Sequence, residues 1–242
     1  MKILQCNIWG GRLGYQVIKT LKEQEADVVC LQEAIHNVSG RPFFFKSLSG
    51  IAEQAGYQHI FFAPAFEFNI MNHKSQFGLA ILSKYPINFT DNQSLRLEFK
   101  DDFDPTVDDY NIRFFQRADI TVDGKKFTIL NHHGHHIGSH KKGDDETLRQ
   151  CGLITDYIKT INNPVVLCGD FNLDPESESI KLMESVLHNP ITDLEIATTR
   201  NFLTPKSEIC DYIFTSPELE INKFQILPDI ISDHAALVLE VL

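Results

Sequence analysis

The chain has 242 residues, 43% of them hydrophobic and 23% charged, with a formal net charge of −11. That length suits one large core and is short for two, so residues 1–242 are expected to form a single domain. The negative balance argues against affinity for long nucleic acid, which comes mainly from neutralising many phosphates, and suits a protein that holds a hard divalent cation.

Met1 to Gly10 has neither a basic leader nor a sustained apolar run, and no apolar stretch approaches the ~20 residues that cross a bilayer. A cytoplasmic protein without membrane insertion is expected, and nothing in the sequence calls for an obligate protein partner. Of five cysteines, Cys6, Cys30 and Cys168 sit in apolar, strand-like runs where a thiol acts as a small hydrophobe. Neither a disulfide framework nor a zinc finger is indicated.

In chain order, Lys2 to Ile8 reads as a strand that carries Asn7 near its end. Leu13, Val17, Ile18 and Leu21 recur at helical spacing. A second apolar strand, Val28 to Leu31, ends in Gln32-Glu33, which makes Glu33 a candidate metal ligand. Phe43-Phe44-Phe45 and Phe61-Phe62 are expected in the core, with a helix from Ser47 to Ala55 stopped by Gly56. Strands follow at Gln76 to Ser83 and over residues 87–99. Asp101, Asp102, Asp104, Asp108 and Asp109 crowd one loop without the glycine and terminal glutamate of a calcium-binding loop, so a solvated loop is expected.

Arg113 to Val122 and Lys125 to Asn131 are joined by Asp123-Gly124, a hairpin signal. The second strand runs into His132, His133, His135, His136 and His140. Alternation lets only one of His132 and His133 face a given side, so one functional imidazole is the economical reading. Asp144 to Thr160 is an amphipathic helix with an acidic start. It leads into Pro164 to Asp174, an apolar strand ending in Gly169-Asp170-Phe171-Asn172. On an extended chain Asp170 and Asn172 share a side and Phe171 faces the core. Such a pair can orient a water and bind an oxyanion, or can simply be an Asp/Asn turn. A helix near Ser177 to Leu187 and strands at Ile209 to Phe214, 221–226 and Ala235 to Val241 complete the chain. The last is preceded by Ser232-Asp233-His234. Mixed strands flanked by helices imply two packed sheets with helices outside, a four-layered α/β/β/α sandwich.

Asn7-Ile8-Trp9, Leu31-Gln32-Glu33, Gly78 to Ser83, Asn131-His132-His133-Gly134, Gly169 to Asn172, Asp211 to Phe214 and Ser232-Asp233-His234 together resemble the ordered motifs of the endonuclease/exonuclease/phosphatase, or DNase-I-like, superfamily. The likeness spans almost the whole chain. It is nearest to compact bacterial members with His-Gly after the central strand, a Lys/Asp/Arg segment behind it and Thr-Arg before Asp-Tyr. Here these are His133-Gly134, Lys142 to Arg149 and Thr199-Arg200. The resemblance implies a four-layered sandwich that hydrolyses phosphate esters with Mg²⁺ or Mn²⁺. By it, Glu33 would hold the metal with Asn7 and Asp233, and Asp170 would orient or deprotonate the attacking water. Asn172 would hold that water and a phosphate oxygen, His234 paired with Asp211 would face the phosphate, and His133, the residue before Gly134, would contact another oxygen. Lys142 or Arg200 would add positive charge. The implied substrate is a small phosphomonoester or phosphodiester. A nuclease for short or single-stranded DNA or RNA ends and a non-catalytic binding module on the same fold are the alternatives.

Overall fold

A computed structural model of the chain describes residues 1–37, 46–70, 73–194 and 196–242, with Ile70 described by its backbone alone. The Phe43-Phe44-Phe45 cluster lies outside the described residues. The first half of the chain forms β1 (Lys2–Asn7), α1 (Gly14–Gln24), β2 (Val28–Asn37), α2 (Leu48–Ala55), β3 (His59–Ile70), β4 (His73–Ser83) and β5 (Ile87–Arg96). The second half forms β6 (Arg113–Val122), β7 (Lys125–His133), α3 (Asp145–Ile158), β8 (Val165–Asp170), α4 (Glu178–Glu184), β9 (Asp211–Thr215), β10 (Ile221–Ile226) and β11 (Leu237–Val241).

The strands make two sheets, ordered β10-β11-β1-β2-β4-β3 and β5-β6-β7-β8-β9. Each is built around one parallel pair, β1 with β2 and β7 with β8, joined by a crossover helix; the remaining neighbours are antiparallel. Alternation along β1 shows the layering. Ile3, with Val28 and Cys30, belongs to the core shared with Ile129, Val166 and Ile154, whereas Leu4 and Cys6 pack with Val17, Leu21 and Ile51 of α1 and α2. Helices therefore cover both outer faces, and the central strands are apolar on both sides because both sides are buried. All five cysteines are buried and unpaired.

Local chemistry sets the boundaries. Asp144 caps α3 through a reciprocal capping box with Thr147, and Ser47 and Ser177 cap α2 and α4 through their hydroxyls. The β6–β7 hairpin turns at Asp123 and Gly124, both at positive φ, the geometry whose twist matches paired strands. Strand β3 was not among the strands expected from the sequence, and its Pro64 is unusual in a strand interior. It is tolerated at the edge of the first sheet, where the register shifts between Pro64 and Phe66.

Two expectations change at the strand ends. Strand β2 does not stop at Gln32-Glu33; it continues to Asn37 through a bulge between Leu31 and Ala34, with Glu33 at φ 55°. A bulge re-aims a side chain, and here it turns Glu33 away from the ladder. After β8, Asn172 is not presented by strand alternation. It adopts φ 57° and donates its backbone N–H to Asp170 Oδ1 at 3.0 Å, an Asx turn.

Below the strand ends, four wholly buried amides link the sheets. Gln5 Nε2 donates to Gln32 Oε1 (2.9 Å), and Gln32 Nε2 donates to Asn131 Oδ1 (2.7 Å). Asn131 Nδ2 then serves Leu31 O and Ala80 O of the first sheet and Gln116 Oε1 of its own, each at 3.1 Å. Replacing Asn131 by Ala orphans several buried groups at once, and each costs ~1–3 kcal/mol. Asn131→Ala is expected to lower unfolding free energy by about 3–5 kcal/mol in urea titration; a loss below about 1 kcal/mol would contradict this account of the ladder.

His132 belongs to the core. Its Nδ1 donates to Phe114 O (3.1 Å) and its ring meets Phe171 edge-on at 5.2 Å. Burial pulls its pKa down to about 4. Since the unfolded imidazole titrates near 6.5, its contribution to stability is complete above about pH 6.5 and is lost as pH falls toward about 4. His132→Asn, which keeps a donor for Phe114 O, should flatten the rise of stability between pH 4 and 6.5. An unchanged slope would place the titrating groups elsewhere.

Candidate active site

The C-terminal ends of β1, β7 and β8, the bulge of β2 and the N-terminal ends of the antiparallel β9 and β11 lie at one end of the sandwich. This topology gathers residues 200 positions apart. Asp170 is the meeting point. Asn7 Nδ2 donates both to Asp170 Oδ2 (3.1 Å) and to Glu33 Oε1 (3.0 Å), so one amide ties a carboxylate of each sheet. His133 Nε2 and His234 Nε2 stand 3.7 and 3.6 Å from Asp170 Oδ2. Burial pushes the Asp170 carboxyl up, but His234, His133, Arg200 and Lys141 outweigh it and hold the group far below the usual carboxylate range.

His234 is held by Asp211. Its Nδ1 donates to the Asp211 carboxylate at 2.9 and 3.0 Å. Asp211 is itself wholly buried and accepts from Thr199 Oγ1 (2.7 Å) and Gln5 Nε2 (3.3 Å), which joins the dyad to the amide ladder. Burial opposes charge on His234, yet Asp211 and Asp170 prevail and its pKa is raised. His133 goes the other way: burial, aided by Arg113, holds it well below the ordinary imidazole range. Two histidines that flank one carboxylate are thus driven apart in basicity, which is how like groups acquire unlike roles.

The cleft above Asp170, of about 330 Å³, is lined by Glu33, His133, Asn172, Arg200, Asp233 and His234 among others. Arg200 Nη1 lies against His234 Nε2 and 3.4 Å from Asp233 Oδ2. Eight of the residues singled out from the sequence (Asn7, Glu33, His133, Asp170, Asn172, Arg200, Asp233 and His234) therefore meet at or just below this cleft, and Asp211 stands behind them. Lys142 does not; it is exposed and lines a separate hollow at the starts of α3 and α4. Its neighbour Lys141 is the buried lysine, and its Nζ donates to Asn172 Oδ1 at 2.6 Å. That bond, and the weaker one from Asn172 Nδ2 to Gly134 O at 3.4 Å, engages both ends of the Asn172 amide. Asn172 consequently fixes the Asp170 turn, with one lone pair of Oδ1 and one N–H of Nδ2 engaged and the others left to the cleft it lines. Gly134 is required at this place: a Cβ there would lie 2.2 Å from Phe171 O.

Arg113, His136 and Lys206 also line the cleft and were not anticipated. Arg113 opens β6, is buried, and has no partner for Nε among the described residues. Burial draws its pKa to about 10, against the pull of Asp170 and Glu33. No spacing rule marks it; a basic residue at the start of a strand is ordinarily solvated.

Two sets of metal donors stand at the cleft. Asp170, Cys210 and His234 place ligand atoms within 4.8 Å of one another. This trio suits no cation: burial keeps the Cys210 thiol protonated, His234 Nδ1 is spent on Asp211, and the Arg200 guanidinium occupies its other face. Glu33 is different. Among the described residues its carboxylate has one side-chain donor, Asn7, and burial pushes its pKa up. With Asn7 and Asp233 it offers oxygen ligands alone, the chemistry of a hard divalent cation.

No curated protein sequence matches this chain. Solved structures match its fold over 100% of its length. They include a family protein from Leptotrichia buccalis C-1013-b (TM-score 0.74, 17% identity, 99% of that chain covered). Another is an endonuclease/exonuclease/phosphatase from Bacteroides vulgatus (0.76, 18%, 98%). A third is a mannosyl-6-phosphatase from Bacteroides thetaiotaomicron VPI-5482 (0.75, 17%, 99%). These likenesses concern the fold, two mixed sheets with flanking helices of the DNase-I-like kind. The sequence model of one family matches residues 4–234, a span that runs from β1 through the cleft to His234, and the chain therefore belongs to the endonuclease/exonuclease/phosphatase family.

Proposed function

We propose that this chain is a divalent-metal-dependent phosphoesterase that hydrolyses a small phosphate ester by in-line attack of water. The reading rests on one observation above the rest: a carboxylate withdrawn from water, Asp170, held ionised at the floor of a cleft surrounded by Arg113, Arg200, Lys141, Lys206 and the histidines. Hydrolysis of such an ester needs charge stabilisation on the phosphoryl oxygens and a water placed opposite the leaving oxygen.

Glu33, Asn7 and Asp233 would hold Mg²⁺ or Mn²⁺, which when bound polarises a phosphoryl oxygen and offsets its charge. The chain's own groups do the rest. Asp170, fixed by Asn7 and by the Asn172 N–H, accepts a hydrogen bond from the attacking water. A carboxylate held so far below its usual range is a weak base, so its first task is orientation. His234, oriented by Asp211, keeps its Nε2 beside Asp170 and against the Arg200 guanidinium, and Arg200 donates to a phosphoryl oxygen. His133, kept neutral, adds a hydrogen bond without adding charge. Lys141 acts one step removed, by pinning Asn172.

The net charge of −11 favours a substrate with few phosphates over a polymer. The Bacteroides thetaiotaomicron mannosyl-6-phosphatase, which shares this fold, is in keeping with that preference. Asp170→Asn and His234→Ala are each expected to lower turnover of p-nitrophenyl or bis-p-nitrophenyl phosphate in Mg²⁺ by ~10²–10⁴-fold with the fold retained. Near-normal turnover in both purified variants would overturn the assignment.

A further inference from the structure

The cleft does not end at Glu33. Trp9, Glu33, Phe77 and Tyr110 line it and also a second, adjoining hollow of about 500 Å³ whose walls are aromatic. At the centre of that wall, Phe66 of β3 stacks on Phe103 (ring centroids 4.0 Å, planes 19° apart) and on Phe77 of β4 (4.9 Å, 14°). Tyr110 meets Phe66 and Phe103 edge-on at 6.0 and 4.9 Å. Phe66 and Phe103 are buried and give the wall its rigidity, whereas Tyr110 is 50% exposed and offers its ring to whatever enters.

Charge narrows the occupant. The charged residues lining this hollow are Glu33 and Arg12, and the Arg12 guanidinium lies 4.2 Å over the Trp9 ring. The segment that supplies Phe103 and Tyr110 also carries Asp101, Asp102, Asp104, Asp108 and Asp109. Lys100 pairs with Asp108 and Arg96 with Asp109. A second phosphate directed this way would meet Glu33 and a single lining cation, Arg12, while the cations of the cleft, Arg113, Arg200 and Lys206, stand on the Asp170 side.

We propose that this hollow binds the alcohol portion of the phosphate ester, and that the group it takes is an uncharged planar ring the size of a nucleobase or aryl group. The inference rests on the phosphoesterase reading and adds to it the class of substrate. The ester bond then lies over Asp170 with the ring beyond Glu33. A flat ring gains from offset or edge contacts with Tyr110 and Trp9 that a saturated ring of equal bulk does not make.

The test is calorimetric binding of methylphosphonate, cyclohexylmethylphosphonate and benzylphosphonate to the full chain in Mg²⁺, with wild type, Tyr110→Ala and Tyr110→Phe. Benzylphosphonate is expected to bind about tenfold tighter than methylphosphonate and tighter than the saturated ring. Tyr110→Ala should reduce the benzyl-to-methyl ratio severalfold, and Tyr110→Phe should restore it. Methylphosphonate binding with no preference for the ring, a saturated ring bound as tightly as benzyl, or a ratio unmoved by Tyr110→Ala would each overturn the subsite alone. Failure of all three phosphonates to bind would overturn the phosphate-site reading, and the subsite with it.

Discussion

Two sheets whose shared interior is hydrocarbon meet, at one end, through amides. The Asn7 side chain donates to Glu33 of its own sheet and to Asp170 of the other, and the ladder from Gln5 through Gln32 and Asn131 to Gln116 continues that contact into the core. A buried polar group is costly unless paired, and these groups are paired mainly across the inter-sheet gap. The two sheets are therefore fixed in register where the carboxylates stand, and methyl packing alone would leave that alignment looser. Gln5 carries the same constraint to Asp211 and so to the His234 ring.

From that alignment follows the electrostatic asymmetry of the cleft. Asp170 lies at the junction with cations on one side, and Glu33 lies toward the aromatic hollow with a carboxyl that burial makes reluctant to ionise. One acid has its charge supplied by the protein. The other lacks it, which is the condition in which a divalent cation is welcome. The histidines divide in the same manner: His234 has Asp211 behind it, and His133 has Arg113 nearby.

The strand-end residues were legible because a polar side chain closing an apolar run is anomalous in one dimension, and Asn7, His133 and Asp170 all announce themselves so. Layering was legible for the same reason, since β1, β2 and β8 are apolar on both faces. What escaped depends on backbone geometry or on distant partners. Glu33 is aimed by a bulge, which leaves no mark in periodicity; β3 is masked by Pro64; and Lys141 and Lys142 are alike in sequence until the fold buries one. Gln32, Gln116 and Asn131 interrupt apolar strands visibly, yet the sequence does not say that they bond to one another. The aromatic hollow joins β3, β4 and the acidic 97–112 segment, three stretches with no common signal.

Steady-state turnover of p-nitrophenyl and bis-p-nitrophenyl phosphate, with Mg²⁺ and with EDTA, by wild type and by Glu33→Ala, tests the account most directly. It predicts hydrolysis of at least one ester that EDTA abolishes and that Glu33→Ala loses while keeping the wild-type fold by circular dichroism. Equal turnover with and without metal, or a Glu33→Ala variant as active as wild type, would contradict it.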